Sequence, residues 1–172
     1  MRSSPRRLPR AVLDTAAWVA AYRAEVAANL LDLFWLVVPE AVVAEIMATD
    51  PVFPSREYPY ATLFRHLRGQ MTVVPARASP PPLSLFGPGE AAALALAQEQ
   101  GLLVLINEWR AAEHAANLGL QVVTMPTLIV GLHLGGVISR RAAHRKLDLL
   151  TPITATAYID EARRLVDEAG LA

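Results

Sequence analysis

Short apolar runs alternate along this chain with longer segments that have helical periodicity. Each run is closed by a polar residue or a proline, as Asp14 closes the first and Asn107 the fourth. Unbroken apolar runs of this length are typical of strands that are buried on both faces of a parallel sheet. The pattern predicts a three-layer α/β/α fold with a short, mainly parallel sheet of about five strands. The predicted strands are residues 11–13, 35–38, 71–74, 102–106 and 121–123.

The segments between these runs are predicted to be helices. An apolar stripe from Trp18 to about Phe34 predicts one long first helix, with Thr15 as its cap. Pro39 is expected to be the first residue of the next helix, because proline suits that position. The prolines between residues 75 and 88 predict an extended connection. Further helices are predicted near residues 60–68, 89–100, 108–118, 127–134, 139–150 and 155–169.

Length and composition indicate one folded domain. The chain has 172 residues, of which 53% are hydrophobic and 19% are charged, so it has enough apolar material for a sizeable core. We expect a basic N-terminal tail over residues 1–9 and a single domain over residues 10–172. The chain contains no cysteine, which excludes disulfides and thiolate metal sites and suits a cytoplasmic protein.

The overall charge gives no sign of a generally basic nucleic-acid binder. Sixteen basic and sixteen acidic side chains give a net charge of zero, so RNA contact would need a local patch. A basic cluster near the C-terminus is interpreted as a solvated surface. Its members are Arg140, Arg141, Arg145 and Lys146.

Neither secretion nor a membrane span is expected. Asp14, Arg23 and Glu25 interrupt the apolar segment that follows the basic N-terminus, so it does not fit a signal peptide. No charged residue lies between Glu113 and Arg140, but glycines, a proline and polar residues divide that stretch.

Four carboxylates stand among apolar neighbours, and they suggest a site. In open α/β sheets, sites form beyond the carboxyl ends of the strands, where Asp14 and the pair Asn107-Glu108 are expected to lie. Carboxylates gathered there raise one another's pKa unless a cation is present. Mg²⁺ or Mn²⁺ suits oxygen ligands and can activate water for attack on a phosphodiester. We predict that Asp14, Glu45, Glu90 and Glu108 converge in one cleft.

Each acid also has an ordinary structural interpretation. Asp14 can serve as a helix cap, and Glu90 and Glu108 are favoured in a first helical turn by the helix dipole. Glu45 can be a half-exposed surface residue.

The order of these segments resembles a PIN domain. The resemblance is closest to the prokaryotic subgroup related to VapC toxins, in which a Gly-x-Gly-Glu segment opens the central helix. It covers about residues 10 to 150. The segments that carry it are Val12-Leu13-Asp14-Thr15, Val38-Pro39-Glu40-Ala41-Val42-Val43-Ala44-Glu45-Ile46, Gly87-Pro88-Gly89-Glu90-Ala91-Ala92-Ala93, Leu105-Ile106-Asn107-Glu108 and Ala115-Ala116-Asn117-Leu118-Gly119-Leu120.

The resemblance implies a metal-dependent ribonuclease, with Asp14, Glu45, Glu90 and Glu108 as the catalytic acids. It implies that Mg²⁺ or Mn²⁺ is held by Asp14, Glu90, Asn107 and Glu108. The fourth region departs from the family pattern, because relatives usually carry Asp-Asp or Asp-Glu before a basic residue. This chain reads Asn107-Glu108-Trp109-Arg110, and an amide oxygen can bind a metal but brings no charge.

The resemblance also implies partners. We expect an RNA substrate and an antitoxin protein, with this chain as the toxin of the pair. A homodimer is expected from apolar residues interpreted as exposed, namely Trp18, Tyr22, Trp35 and Phe53. The alternative is a PIN-fold protein with weakened or lost nuclease activity that acts through protein binding. Asn107 and the lack of a strongly basic surface favour that alternative, and the three retained acids favour the enzyme.

Overall fold

The structure is a computed structural model that describes residues 8–75 and 85–169. Most of the predicted basic tail and of the proline-rich connection lies outside the described residues. The described strands form one five-stranded, all-parallel sheet in the order β3-β2-β1-β4-β5, which confirms the predicted fold class. The strands are β1 (Arg10–Leu13), β2 (Trp35–Pro39), β3 (Thr72–Val74), β4 (Leu103–Leu105) and β5 (Val122–Val123).

Helices separate successive strands and cover the sheet, as parallel connections require. Those before β4 are α1 (Thr15–Arg23), α2 (Ala27–Leu33), α3 (Glu40–Ile46), α4 (Pro59–Leu67) and α5 (Pro88–Gln100). The later ones are α6 (Trp109–Asn117), α7 (Met125–Leu134), α8 (Arg140–Leu150) and α9 (Thr156–Ala169). A single 3₁₀ turn, Arg68–Gln70, precedes β3.

The strand order reverses at the centre of the sheet, between β1 and β4. β1 pairs with β2 on one side and with β4 on the other, and Leu13 lies opposite Leu105. The pairing continues one residue further, because the Asp14 N–H donates to the Leu105 carbonyl over 3.2 Å. The carboxyl ends of β1 and β4 therefore meet at the point where ligands bind in folds of this kind.

The core lies on both faces of the three central strands. Val12, Val37 and Val104 are fully buried, as expected for strands covered by helices on both sides. Trp18 on α1 packs edge-to-face against Phe64, with ring centroids 5.2 Å apart. Trp18 is fully buried, so its expected place on an exposed apolar surface is wrong; it fills the space between α1 and α4.

The predicted long first helix is two helices. α1 ends at Arg23 and α2 begins at Ala27, with Glu25 in the left-handed region at a φ of 57°. The Lys146 ammonium donates to the carbonyls of Ala24, over 3.0 Å, and Glu25, over 3.1 Å. The break depends on a lysine far along the chain, so the local apolar stripe could not reveal it.

Two smaller expectations are also corrected. Pro39 is the last residue of β2 and the cap of α3, because β2 continues in register opposite Val74. Lys146 is buried, so it is not part of a solvated basic surface, although Arg141 and Arg145 are exposed. Among residues 8–75 and 85–169, no helix is long and apolar enough to cross a membrane.

Candidate active site

Asp14 lies directly after β1 and is only 1% exposed. It is the cap of α1, since its Oδ1 accepts the Ala16 N–H over 3.3 Å, whereas Thr15, the expected cap, is the first helical residue. Its Oδ2 is buried and has no hydrogen-bond partner within the described part of the chain. Burial raises the pKa of Asp14 to about 7, and repulsion from Glu90 and Glu45 adds to the increase. Asp14 is thus both a cap and a carboxylate whose charge is poorly compensated.

Glu45 joins three elements through its two carboxylate oxygens. Its Oε2 accepts the Thr15 hydroxyl over 2.6 Å, and its Oε1 accepts the Gly89 N–H over 2.7 Å. Glu45 lies near the end of α3, Thr15 begins α1 and Gly89 lies in the first turn of α5. Because the carboxylate sits at the N-terminus of α5, the helix dipole also favours its charge. Both oxygens of Glu45 therefore already have partners.

The glycine before Glu90 is explained by this contact. A Cβ atom on Gly89 would overlap the Glu45 carboxylate, whereas one on Gly87 would make an ordinary contact. The second glycine of Gly87-Pro88-Gly89-Glu90 leaves room for the Glu45 carboxylate at the start of α5. The same contact holds the start of α5 in place and so fixes the position of Glu90, the next residue.

Glu90 is half-buried and faces other acids. Its pKa is raised, first by burial and then by repulsion from Glu108 and Glu45, although the Gly87 N–H opposes the increase. Asp14 repels Glu90 as well. Glu90 is therefore the acid that interacts repulsively with each of the other three.

Asn107 follows β4 and is 5% exposed. Its amide nitrogen donates to the Thr154 hydroxyl over 2.9 Å and, at 3.4 Å, to the Ile153 carbonyl, so it holds the segment between α8 and α9. Its Oδ1 is buried and finds no hydrogen-bond partner among the described residues. Glu108 is the cap of α6, with its Oε2 accepting the Ala111 N–H over 2.8 Å.

The donor set fits a hard cation that keeps several of its waters. Asp14 Oδ2 and Asn107 Oδ1 are buried acceptors without partners, which is a costly state unless a cation or water meets them. Glu90, with its raised pKa, is the further acid that a cation would relieve. In residues 8–75 and 85–169, no three Asp, Glu, His or Cys side chains form a group arranged to hold a metal.

Sequence reasoning missed three participants. Thr15 was expected to be a cap and instead binds Glu45. Gly89 was noticed only as part of a motif, without its contact to Glu45. Thr154 gave no signal at all, because its bond to Asn107 joins residues 47 positions apart.

A family model described as a PIN domain matches residues 10–166. The chain belongs to the PIN-domain family. The PIN fold is of nuclease type, and PIN domains generally use divalent metals. The family match confirms the resemblance at this level, and the subgroup related to VapC stays a prediction.

One solved structure similar to this PIN-domain chain is a domain of a functionally unknown protein from Methanocaldococcus jannaschii DSM 2661. It is 20% identical, with a TM-score of 0.48, and the match covers 68% of this chain and 91% of that one. A likeness at this level says nothing about function. A search of curated proteins gave no match.

We predict that Gly89→Ala is destabilising, because the new methyl group overlaps the Glu45 carboxylate. The flexible Glu45 side chain must then move and lose its hydrogen bonds to Thr15 and Gly89, which should lower the free energy of unfolding by about 1–3 kcal/mol in urea titrations. Gly131→Ala is the matched control, since Gly131 lies in α7 with open space around it. That control should be neutral or stabilising by up to about 1 kcal/mol. Equal effects of the two substitutions would contradict the close contact.

We also predict a pH dependence that comes from Asp14. Its folded pKa of about 7 lies above the ordinary value of 3.8, so the folded state binds the proton more tightly than the unfolded state. The stabilisation is complete below about pH 4 and is lost as the pH rises through 7. In EDTA, the free energy of unfolding should fall by about 2–3 kcal/mol more in the wild type than in Asp14→Asn between pH 5 and 8. Parallel pH profiles of the two proteins would contradict this assignment.

Proposed function

We propose that this PIN-domain protein is a metal-dependent endoribonuclease. The observation that carries the proposal is the buried Oδ2 of Asp14 at the reversal point of the sheet, which has no partner among the described residues and is repelled by Glu90 and Glu45. A buried acid with a raised pKa that lies among like charges is typical of a functional site. The family match supports the same interpretation.

Asp14 and Asn107 would hold the Mg²⁺ or Mn²⁺ ion, together with Glu90 and Glu108 directly or through waters. When bound, such an ion stabilises the charge that develops on a phosphate and lowers the pKa of water. Glu90 is suited to take a proton from the attacking water, because its raised pKa brings it nearer to neutral pH. Glu45 would act as a positioning residue, since both of its oxygens are used to fix Thr15 and Gly89.

Asn107 weakens the expected metal site by one charge. Fewer anionic ligands should hold Mg²⁺ poorly, whereas Mn²⁺ binds such ligands more tightly. We therefore expect low cleavage in Mg²⁺ and more in Mn²⁺. The neutral amide also has a second task, because its nitrogen holds Ile153 and Thr154.

A second candidate function is a PIN-fold binding protein without nuclease activity. It is favoured by Asn107 and by the lack, among the described residues, of three acids grouped for a metal. It predicts no cleavage in either metal and no effect of Asn107→Asp on metal affinity. Cleavage that depends on Asp14 would refute it.

We further propose that the protein is a cytoplasmic toxin that forms a homodimer and is covered in part by an antitoxin. The exposed side chains of Trp35, Phe53 and Val52 support a protein contact, with exposed fractions of 54%, 59% and 72%. Tyr22 is also at the surface, at 36%. Light scattering at micromolar concentration should give the mass of a dimer, and a monomer mass would count against this proposal.

We predict that Asp14→Asn abolishes cleavage of structured RNA in Mn²⁺. The loss should exceed the 10–100-fold that removing an outer partner of a metal site typically costs. Asp32→Asn is the control, because Asp32 is an exposed acid on α2 and should leave the rate unchanged. The measurement is the initial rate of cleavage with Mn²⁺ and with Mg²⁺. Equal rates for wild type and Asp14→Asn would refute the ribonuclease.

For Asn107→Asp we predict two opposing effects. The added charge should tighten Mn²⁺ and Mg²⁺ binding in calorimetry and raise cleavage. The lost amide donor should lower the free energy of unfolding without metal by about 1–3 kcal/mol, because the new carboxylate faces the Ile153 carbonyl. Unchanged metal affinity would show that residue 107 does not contact the ion.

A further inference from the structure

An open groove lies beside the acidic site, between α6, β5 and the start of α9. Its volume is about 630 Å³, within the usual range for small-molecule sites. Trp109 and Tyr158 line it together with the small residues Ala112 and Ala116. The carboxylate of Glu113 is the charged group in its wall.

The groove is lined by residues that adjoin the proposed active site along the chain. Trp109 directly follows Glu108, and Ala155 directly follows Thr154, the hydrogen-bond partner of Asn107. Thr124 follows Val123, whose carbonyl accepts the N–H of Ile106, the residue before Asn107. Two parts of the groove wall therefore begin one residue from the site or from a direct hydrogen-bond partner of it, and the third begins one residue from the backbone partner of Ile106.

The chemistry of the groove selects for a flat ring joined to an anion. Trp109 is 47% exposed, and the Arg110 guanidinium lies over its ring, 5.5 Å from the ring centre. Glu113 repels phosphate from the interior, whereas Arg110, outside the groove, attracts it. An apolar peptide side chain would contact the rings but would have no group to pair with Arg110. A nucleotide has both a ring and a phosphate, so it fits this arrangement better than a peptide.

We propose that this groove binds a nucleobase of single-stranded RNA next to the scissile phosphate. The base lies in the groove against Trp109, and the adjoining phosphate meets Arg110. Stacking on aromatic side chains is the usual way in which proteins hold unpaired RNA bases. This inference rests on the proposed ribonuclease function, because it places the substrate of that same site.

The test is equilibrium binding of a fluorescein-labelled twelve-nucleotide oligoadenylate to the full chain in EDTA, where no cleavage occurs. Trp109→Ala should weaken binding at least about fivefold, the lower end of the effect of losing one stacked base. Trp109→Phe should retain most of the affinity. Leu134→Ala is the control, since Leu134 is an exposed apolar side chain on α7 that does not line the groove. Circular dichroism verifies the fold of each variant.

A second variant closes the groove without touching the tryptophan. Ala116→Leu places a larger side chain on the groove wall and should weaken binding at least about fivefold as well. Wild-type affinity in both Trp109→Ala and Ala116→Leu, or no binding by the wild type, would overturn the proposal. The proposal would also be overturned if these variants kept their RNA affinity but changed the mass measured by light scattering, because the groove would then be a protein contact.

The outcome separates this inference from the ribonuclease itself. If cleavage requires Asp14 but RNA binding does not depend on Trp109, the groove proposal is wrong and the ribonuclease proposal stands. If RNA binding depends on Trp109 but no cleavage occurs in Mn²⁺ or Mg²⁺, the groove binds RNA and the ribonuclease proposal is wrong.

Discussion

The burial of the Asp14 carboxylate at the centre of the sheet constrains everything around it. Its backbone N–H continues the pairing of β1 with β4, which fixes the position of the residue at the buried end of the strand. One oxygen caps α1 and the other has no partner in the described part of the chain. A buried charge in this state is unfavourable unless it is protonated or meets a cation. The neighbouring acids favour protonation of Asp14 when no metal is present, and they favour binding of the cation when one is available.

The contact of Glu45 with Thr15 and Gly89 keeps the acids in place. It fixes the start of α1, directly after Asp14, and the start of α5, directly before Glu90. The absence of a side chain at Gly89 leaves the space that the Glu45 carboxylate occupies. Glu45 would therefore contribute to catalysis through the positions of Asp14 and Glu90 and not as a metal ligand.

The sequence was sufficient for the fold class, because buried parallel strands leave short apolar runs that local inspection can find. The family followed from a resemblance in the order of the acidic segments. Sequence reasoning failed where a distant residue decides the local structure. The break after α1 depends on Lys146, and the orientation of Asn107 depends on Thr154. The roles of Glu45 and Gly89 were also hidden, because their contact appears only when α3 packs against α5. The acids themselves could be chosen from their apolar surroundings, but their separate tasks could not.

The central claim is that Asp14 Oδ2 and Asn107 Oδ1 face one divalent cation. The most direct measurement is a crystal structure of the protein grown with Mn²⁺, with the ion located by its anomalous scattering. We predict a single ion within coordination distance, about 2.0–2.3 Å, of both oxygens, with waters completing its shell. An ion bound elsewhere, or a hydrogen bond between these two side chains with no ion at saturating Mn²⁺, would contradict the account.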